Sequence, residues 1–505
     1  MGDDLTFADY LDSHFPLGER QSPHLWITLA DSLFADTGAA NLHTFVEQLN
    51  SERRTRYFGW KADTKLVVLC LDENCVQKCA ERGMYAYGGY ERTRPEQILR
   101  ATWPKIAAFM EILPSRSLFF VDADVSFALD PYPHLEPLMK RFDILAQEND
   151  AFEHFNTGWM WLRKGRKVAE AWREVYEMDM RSTSRDQYNF NNVLDSGPRR
   201  LHDEGDKGRR PLKSDFVAKN GLRVHVLGTR LFRVYHQRVN DYVARHDSMQ
   251  LHMTCADDAS VKLFVPKVEG FWSDVDAYYS RPLSLISVDV LSGKQADLAQ
   301  LFRILLAAAH YSSRALILPE TATVIDLLDS SPTAIRAAHS TFPLSQLAMP
   351  DSPLGVRVLE PAYVEHATAH LLGRSVLDSA RRREDGWWDG LGAGEQVRRM
   401  GKVVELAKVV DLDMRQYKSF SALISGLVSD PVFHSAPHVR LMNTDWPDAQ
   451  HWRHYDLPEP VRQVKPCHKM EELQTCDNVC RFEGDDERVI RVDGGWPDVR
   501  DIMAG

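Results

Sequence analysis

No run of about 18 apolar residues, the length a membrane-spanning helix requires, occurs in this sequence. The nearest approach, LFRILLAAAHY at residues 301–311, is interrupted by Arg303. A secretory signal pattern, an Asn-x-Ser/Thr sequon, an internal repeat and a low-complexity tract are missing as well, so nothing in the sequence itself requires secretion. Positive charge is in deficit: 61 Lys and Arg stand against 72 Asp and Glu, a formal charge of -11. That argues against a binder of the nucleic-acid phosphate backbone, which needs a basic face, and no nucleic-acid partner is expected. Cysteine is scarce and odd in number. The seven, Cys70, Cys75, Cys79, Cys255, Cys467, Cys476 and Cys480, define no disulfide framework and leave the compartment open.

What is present reads as globular. The 505 residues allow two or three domains, at roughly 150 residues each. A hydrophobic share of 44% with 26% charged residues excludes wholesale disorder. From residue 24, short apolar runs alternate with amphipathic stretches. HLWITLAD, KLVVLCLD, LFFVDAD, FDILAQEND and FNTGWMWL read as strands. TFVEQLN, WPKIAAFMEIL and RKVAEAWREVYEM read as helices, with Pro104 suited to a first turn. Strands without alternation, separated by helices, imply a mostly parallel sheet buried on both faces. The expectation is an α/β domain over 24–281, after an N-terminal extension at 1–23. Residues 196–213 read as an exposed loop before the strand LRVHVLG. From residue 282, LSLISVDVL, QADLAQLFRILLAAAHY, RALILP and GEQVRRMGKVVELAKVV suggest a second, smaller α/β region to 430. Residues 431–505, rich in His, Trp and Cys with little periodicity, read as an irregular tail.

The stretch SLFFVDADVSFALDP carries the chemistry. Its apolar run, Leu118 to Val121, ends in two carboxylates one residue apart, Asp122 and Asp124. Ligands in open α/β sheets sit beyond the carboxyl ends of strands. Two carboxylates there suit a hard cation whose shell a substrate diphosphate completes. Such a cation neutralises a departing nucleoside diphosphate, which nucleotide-sugar transfer demands. The plain alternative is a strand ending in a polar turn.

The order FFVDADVSFALDP, FNTGWMWLR, RDQYNFNNVL, LHMTCADDASVKLF resembles the motif order of glycosyltransferase family 77, most of all its plant and algal arabinosyltransferases. Those also carry a helix–strand segment like LFRILLAAAHYSSRALILP. The resemblance spans roughly residues 24–320. It implies a GT-A fold, retention of anomeric configuration, a UDP-sugar donor of arabinose, galactose or xylose, a glycan or glycoprotein hydroxyl as acceptor, and Mn2+. Asp122 and Asp124 match the family's D-x-D as metal ligands, with Asp122 also on the donor. Asn156, Thr157 and Gly158 match a stretch near the donor sugar, where the bland reading is a strand turn. Asp186 and Gln187 match an Asp-Gln pair on the catalytic side; Ser184 and Gln187 equally fit a capping box. His252 matches a histidine that completes the metal shell, and Lys262 a lysine on the diphosphate, although ADDASV reproduces the family poorly. Lys105 is a donor contact or a residue of a solvated helix face. Thr28 and Asp31, on the first strand and at its end, complete the substrate-binding set.

Kinship points to the Golgi lumen, with membrane attachment only through an anchor not visible in this chain; the alternative is the cytoplasm. The lumen implies at least one bridge among Cys467, Cys476 and Cys480. With His468 these thiols also offer zinc ligands, at a spacing lacking paired knuckles. Two rival functions are a non-catalytic carbohydrate-binding scaffold and a sugar-nucleotide nucleotidyltransferase. The latter needs a basic Gly-rich loop after the first strand, and LADSLFADTGAAN has no Lys or Arg.

Overall fold

The structure is a computed structural model. It describes residues 5–16, 25–31, 65–81, 83–89, 103–127, 131–149, 155–181, 186–194, 215–234, 248–254, 259–272, 277–288, 295–318, 354–372 and 393–442. The stretches TFVEQLN and 196–213, Ser184, and Cys467, His468, Cys476 and Cys480 lie outside the described residues. Two compact units divide the chain, Met1–Thr254 and Cys255–Gly505.

The first unit contains the strands β1 (Leu25–Ala30), β2 (Lys65–Cys70), β3 (Tyr85–Tyr87), β4 (Leu118–Val121), β5 (Val125–Phe127), β6 (Ile144–Glu148), β7 (Phe155–Leu162), β8 (Asp215–Val217), β9 (Arg223–Leu227), β10 (Phe232–Val234) and β11 (Gln250–His252). Eight form one sheet in the order β3-β2-β1-β4-β7-β6-β9-β8, and three form another, β10-β11-β5. The expected α/β class holds. From β3 to β4 all neighbours are parallel, as are β6 and β9. β7 departs from the parallel pattern, running antiparallel to both β4 and β6. Residues 149–154 are too few for the crossover a parallel neighbour requires, so β7 must fold back.

Period-two alternation divides the core between the two faces of the sheet. Leu25 and Ile27 join one cluster with Phe109, Trp172 and Phe190. Trp26 joins the opposite cluster with Phe119, Tyr132 and Trp159. On the first face, helices Trp103–Ile112, Arg166–Arg181 and Asp186–Val193 present Phe109 edge-on to Trp172 at 4.8 Å and stack Trp172 on Phe190 at 4.4 Å. On the second, Trp26 Nε1 donates to Tyr132 Oη at 2.7 Å, satisfying a buried indole. Cys70 and Cys75 form a disulfide, and the buried Cys79 Sγ lies 3.9 Å from Cys70 Sγ.

The second unit holds a five-stranded sheet, parallel throughout, of β12 (Leu285–Val288), β13 (Ala315–Ile317), β14 (Val358–Leu359), β15 (Val409–Asp413) and β16 (His438–Met442), in the order β14-β13-β12-β16-β15. Two differences from the sequence reading appear here. Residues 255–281, expected with the first domain, fall in this unit. Trp272 and Tyr279 join its core with Leu285 and Tyr363, and Tyr278 Oη donates to the fully buried Glu360 at 2.6 Å. The supposed irregular tail also supplies β16, which sits between β12 and β15. HVRLM is too short to show a period, but its burial in the sheet decides its state. The apolar helix Gln295–Tyr311 packs in the core of this unit, and no described helix is long and apolar enough to cross a membrane.

His438 gives this unit a pH response. It is buried, with Nε2 2.7 Å from Ser287 Oγ. Burial, reinforced by Arg440, pushes its pKa down to about 4. Between pH 6.5 and pH 4 the unfolded chain therefore takes up a proton that the native chain refuses. The stability this contributes is complete above pH 6.5 and is lost as pH falls to about 4. By linkage the loss approaches 3 kcal/mol, roughly. Urea unfolding of wild type and His438→Gln at pH 7 and pH 4.5 checks this. The variant is expected to lose less stability on acidification, and equal losses would assign the effect elsewhere.

Candidate active site

β4 ends at Val121, and the turn Asp122-Ala123-Asp124 carries the chain from the eight-stranded sheet into β5 of the three-stranded one. Two main-chain bonds fix this turn: Asp122 N donates to Gly158 O at 2.7 Å and Val125 N to Asp122 O at 3.2 Å. The antiparallel register of β5 and β11 sets Val125 opposite His252, and Met253 N donates to Asp124 O at 3.0 Å. His252 thus arrives beside the two acids although it lies 128 positions after Asp124 in the sequence. Its Nε2 lies 3.3 Å from Asp124 Oδ1 and 3.5 Å from Asp122 Oδ2.

These distances can be tested against a cation. Ligands at about 2.1 Å in an octahedral shell sit roughly 3 Å apart when adjacent, so the spacing needs little adjustment. Two carboxylates and an imidazole form a donor set suited to a divalent first-row metal. The one ligand atom from each residue lies within 4.8 Å of the others. Without a cation, a proton takes its place: burial disfavours charged His252, but Asp124 and Asp122 outweigh it and raise its pKa to about 9. His252 is 1% exposed and Asp124 7%, whereas the side chain of Asp122 is 43% exposed, so among the described residues the group reaches solvent through Asp122.

β7 joins this group to a second one. At Gly158, a Cβ would fall 2.1 Å from Asp122 Oδ2 and 2.4 Å from His252 Cε1. One residue earlier, Thr157 Oγ1 donates to Asp186 Oδ2 at 3.1 Å, and Thr157 N to Gln187 Oε1 at 3.2 Å. Lys105 forms an ion pair with Asp186, approaches Thr157 Oγ1 at 3.4 Å and lies over the Phe120 ring at 4.8 Å. With 3% exposure, Lys105 is not on a solvated helix face. Asn156 Oδ1 accepts from Gly158 N at 2.7 Å, within a continuous buried strand. The turn alternative for Asn156–Gly158 therefore falls.

The remaining expected residues are Thr28, Asp31 and Lys262. Thr28 is fully buried within β1 opposite Val68, and Asp31 follows that strand, partly exposed. Lys262 belongs to helix Ala259–Val268 of the second unit. Two contributors escaped the sequence reading. Asn191 clamps the start of β7: its Nδ2 donates to Phe155 O and its Oδ1 accepts from Phe155 N, both at 3.1 Å. Gln147 accepts from His252 Nδ1 at 2.9 Å. The available signal was a polar residue inside the apolar run ILAQE, which reads more simply as a strand end.

Residues 61–265, less than half of the chain, match the family model of the nucleotide-diphospho-sugar transferases. With that match, the chain carries a glycosyltransferase domain and is an enzyme of that class. No curated protein matches it. Among solved structures it is similar to the galactosyltransferase LgtC in complex with donor and acceptor sugar analogs, at 14% identity over 50% of this chain and 91% of that one, with a TM-score of 0.27. It is also similar to the apo-form glycosyltransferase GlyE of Streptococcus pneumoniae TIGR4, at 11% identity over 70% of this chain and 84% of that one, with a TM-score of 0.31.

Proposed function

We propose that this protein is a Mn2+-dependent retaining transferase that moves a sugar from a UDP-sugar to a hydroxyl of a glycan or glycoprotein. The observation that carries the reading is the grouping of Asp122, Asp124 and His252 at the carboxyl end of β4, beside the buried Lys105–Asp186 pair. The order in which its motifs resemble those of glycosyltransferase family 77 supports the retaining outcome and the arabinose, galactose or xylose donors. Asp122, Asp124 and His252 hold the cation, which supplies charge neutralisation at the departing diphosphate.

The chain's own residues then divide the remaining work. Asp122, the most exposed of the three, is the one within reach of the donor phosphates. Asp186 offers a negative field to the positive charge that develops at the anomeric carbon. Its Oδ2 already serves Lys105 and Thr157, so it acts as a fixed charge and not as a free nucleophile. Retention then follows from attack on the face the diphosphate leaves, with a diphosphate oxygen taking the proton of the acceptor hydroxyl. Gln187, bonded to the main chain of Thr157, holds the helix start against β7.

Hydrolysis of a panel of UDP-sugars tests the reading. Release of UDP is expected with Mn2+ for one of the three donors and is expected to vanish with a chelator. If no UDP-sugar is hydrolysed or bound at any metal concentration, the enzyme's donor lies outside the UDP-sugars and the proposal fails.

A further inference from the structure

We propose that Gln147 is a positioning residue that fixes the ring orientation and the tautomer of His252 for metal ligation. The inference rests on the reading of Asp122, Asp124 and His252 as a cation site. Gln147 is completely buried, and its amide meets three groups. Nε2 lies 3.0 Å from the carbonyl oxygen of Phe232 and 3.0 Å from that of Arg233, while Oε1 lies 2.9 Å from His252 Nδ1. A carbonyl only accepts, so the NH2 group must face Phe232 and Arg233; the flipped amide would set oxygen against two oxygens. Oε1 is thereby turned to His252. Because Oε1 also only accepts, Nδ1 must carry the hydrogen, and the lone pair of the neutral ring lies on Nε2. That is the atom 3.3 Å from Asp124 Oδ1 and 3.5 Å from Asp122 Oδ2.

The topology explains why such a contact is required. Gln147 belongs to β6 of the eight-stranded sheet, whereas Phe232, Arg233 and His252 belong to β10 and β11 of the three-stranded sheet. Asp122 follows β4 in the first sheet and His252 ends β11 in the second, so their spacing depends on how the sheets are held together. The Gln147 amide is a cross-link between them with all three bonds made to the strands that aim His252. The pairing of β6 with β7 shifts register between Ala146 and Gln147, at the point where this side chain leaves for the other sheet.

The affinity of the full-length, metal-free protein for Mn2+, read from the free-ion electron paramagnetic resonance signal, tests the proposal. Gln147→Met keeps the length of the side chain and removes both the acceptor and the donors. It is expected to weaken Mn2+ binding roughly 10- to 100-fold, as losses behind a ligating histidine do. Gln147→Glu keeps an acceptor for Nδ1 and, protonated, a donor for one carbonyl, and is expected to bind closer to wild type than Gln147→Met. Wild-type affinity in Gln147→Met, with binding lost in Asp124→Asn, overturns the proposal and leaves the cation site standing. Wild-type affinity in Asp124→Asn overturns the cation site and the proposal with it. A measurement on the unaltered protein covers the case in which Gln147→Met does not fold. In long-range 1H–15N spectra of the Zn2+-loaded wild type, the His252 signal, recognised by its loss in His252→Gln, is expected to show a protonated Nδ1. A protonated Nε2 overturns the proposal.

Discussion

Gly158→Ala, the addition of one methyl group, is expected to leave a folded protein that has lost its metal site. The new Cβ would lie 2.1 Å from Asp122 Oδ2 and 2.4 Å from His252 Cε1, distances that cannot persist. The His252 ring has little freedom, being buried and bonded to Gln147. The main chain of Asp122 is held by its 2.7 Å bond to Gly158 O, but its carboxylate is partly exposed. The Asp122 carboxylate therefore swings outward, and a cation held as proposed would lose one ligand of three. Overpacking of this kind costs about 1–3 kcal/mol of stability, which a protein of this size tolerates. Mn2+ affinity is expected to fall roughly 10- to 100-fold, and sugar-nucleotide turnover by about 100-fold, the usual consequence of displacing a reacting group by an ångström. Calorimetric titration with Mn2+ alongside a UDP-release assay reads both quantities. Unchanged metal affinity in a folded Gly158→Ala would mean that Asp122 is not a ligand.

The requirement for glycine at 158 shows where the sequence is legible. FNTGWMWL announces a buried strand, and the apolar positions of β1, β2, β4 and β6 announce theirs, because burial on both faces leaves an unbroken apolar run. The D-x-D is legible for the same reason, as the first polar residues after such a run. Direction is not. Nothing within FNTGWMWL says that it runs antiparallel to its neighbours; only the short stretch before it does. The three-residue strands β5, β10 and β11 are too short to establish a pattern, yet their pairing delivers His252 to Asp124. The motif resemblance named that histidine, and register explains its position. Gln147 was invisible because its function depends on two carbonyls from a distant strand, and a lone glutamine near a strand end signals nothing. The burial of Lys105 was hidden in the same way. Its helix has apolar residues on more than one face, so position within WPKIAAFMEI does not decide between solvent and core.

Lys105 and Asp186 support the second large prediction. Both are buried, with side-chain exposures of 3% and 6%. Removing one partner leaves the other charge buried and uncompensated, a loss of about 3–5 kcal/mol for pairs of this kind. Lys105→Met and Asp186→Leu are each expected to lower stability by that amount. The double variant is expected to recover most of it, because a well-packed apolar pair of similar volume is often as stable as the ion pair it replaces. Activity is expected to behave differently. If Asp186 supplies the field at the anomeric carbon, the double variant folds like wild type yet turns over UDP-sugar no faster than Asp186→Leu alone. Urea unfolding and UDP release on all four proteins separate the two roles. A double variant that regains both stability and turnover would make the pair a strut between helix Trp103–Ile112 and helix Asp186–Val193, with the chemistry carried by other residues. Recovery of stability alone would place Asp186 at the reaction centre and assign Lys105 the task of keeping that carboxylate charged inside the fold.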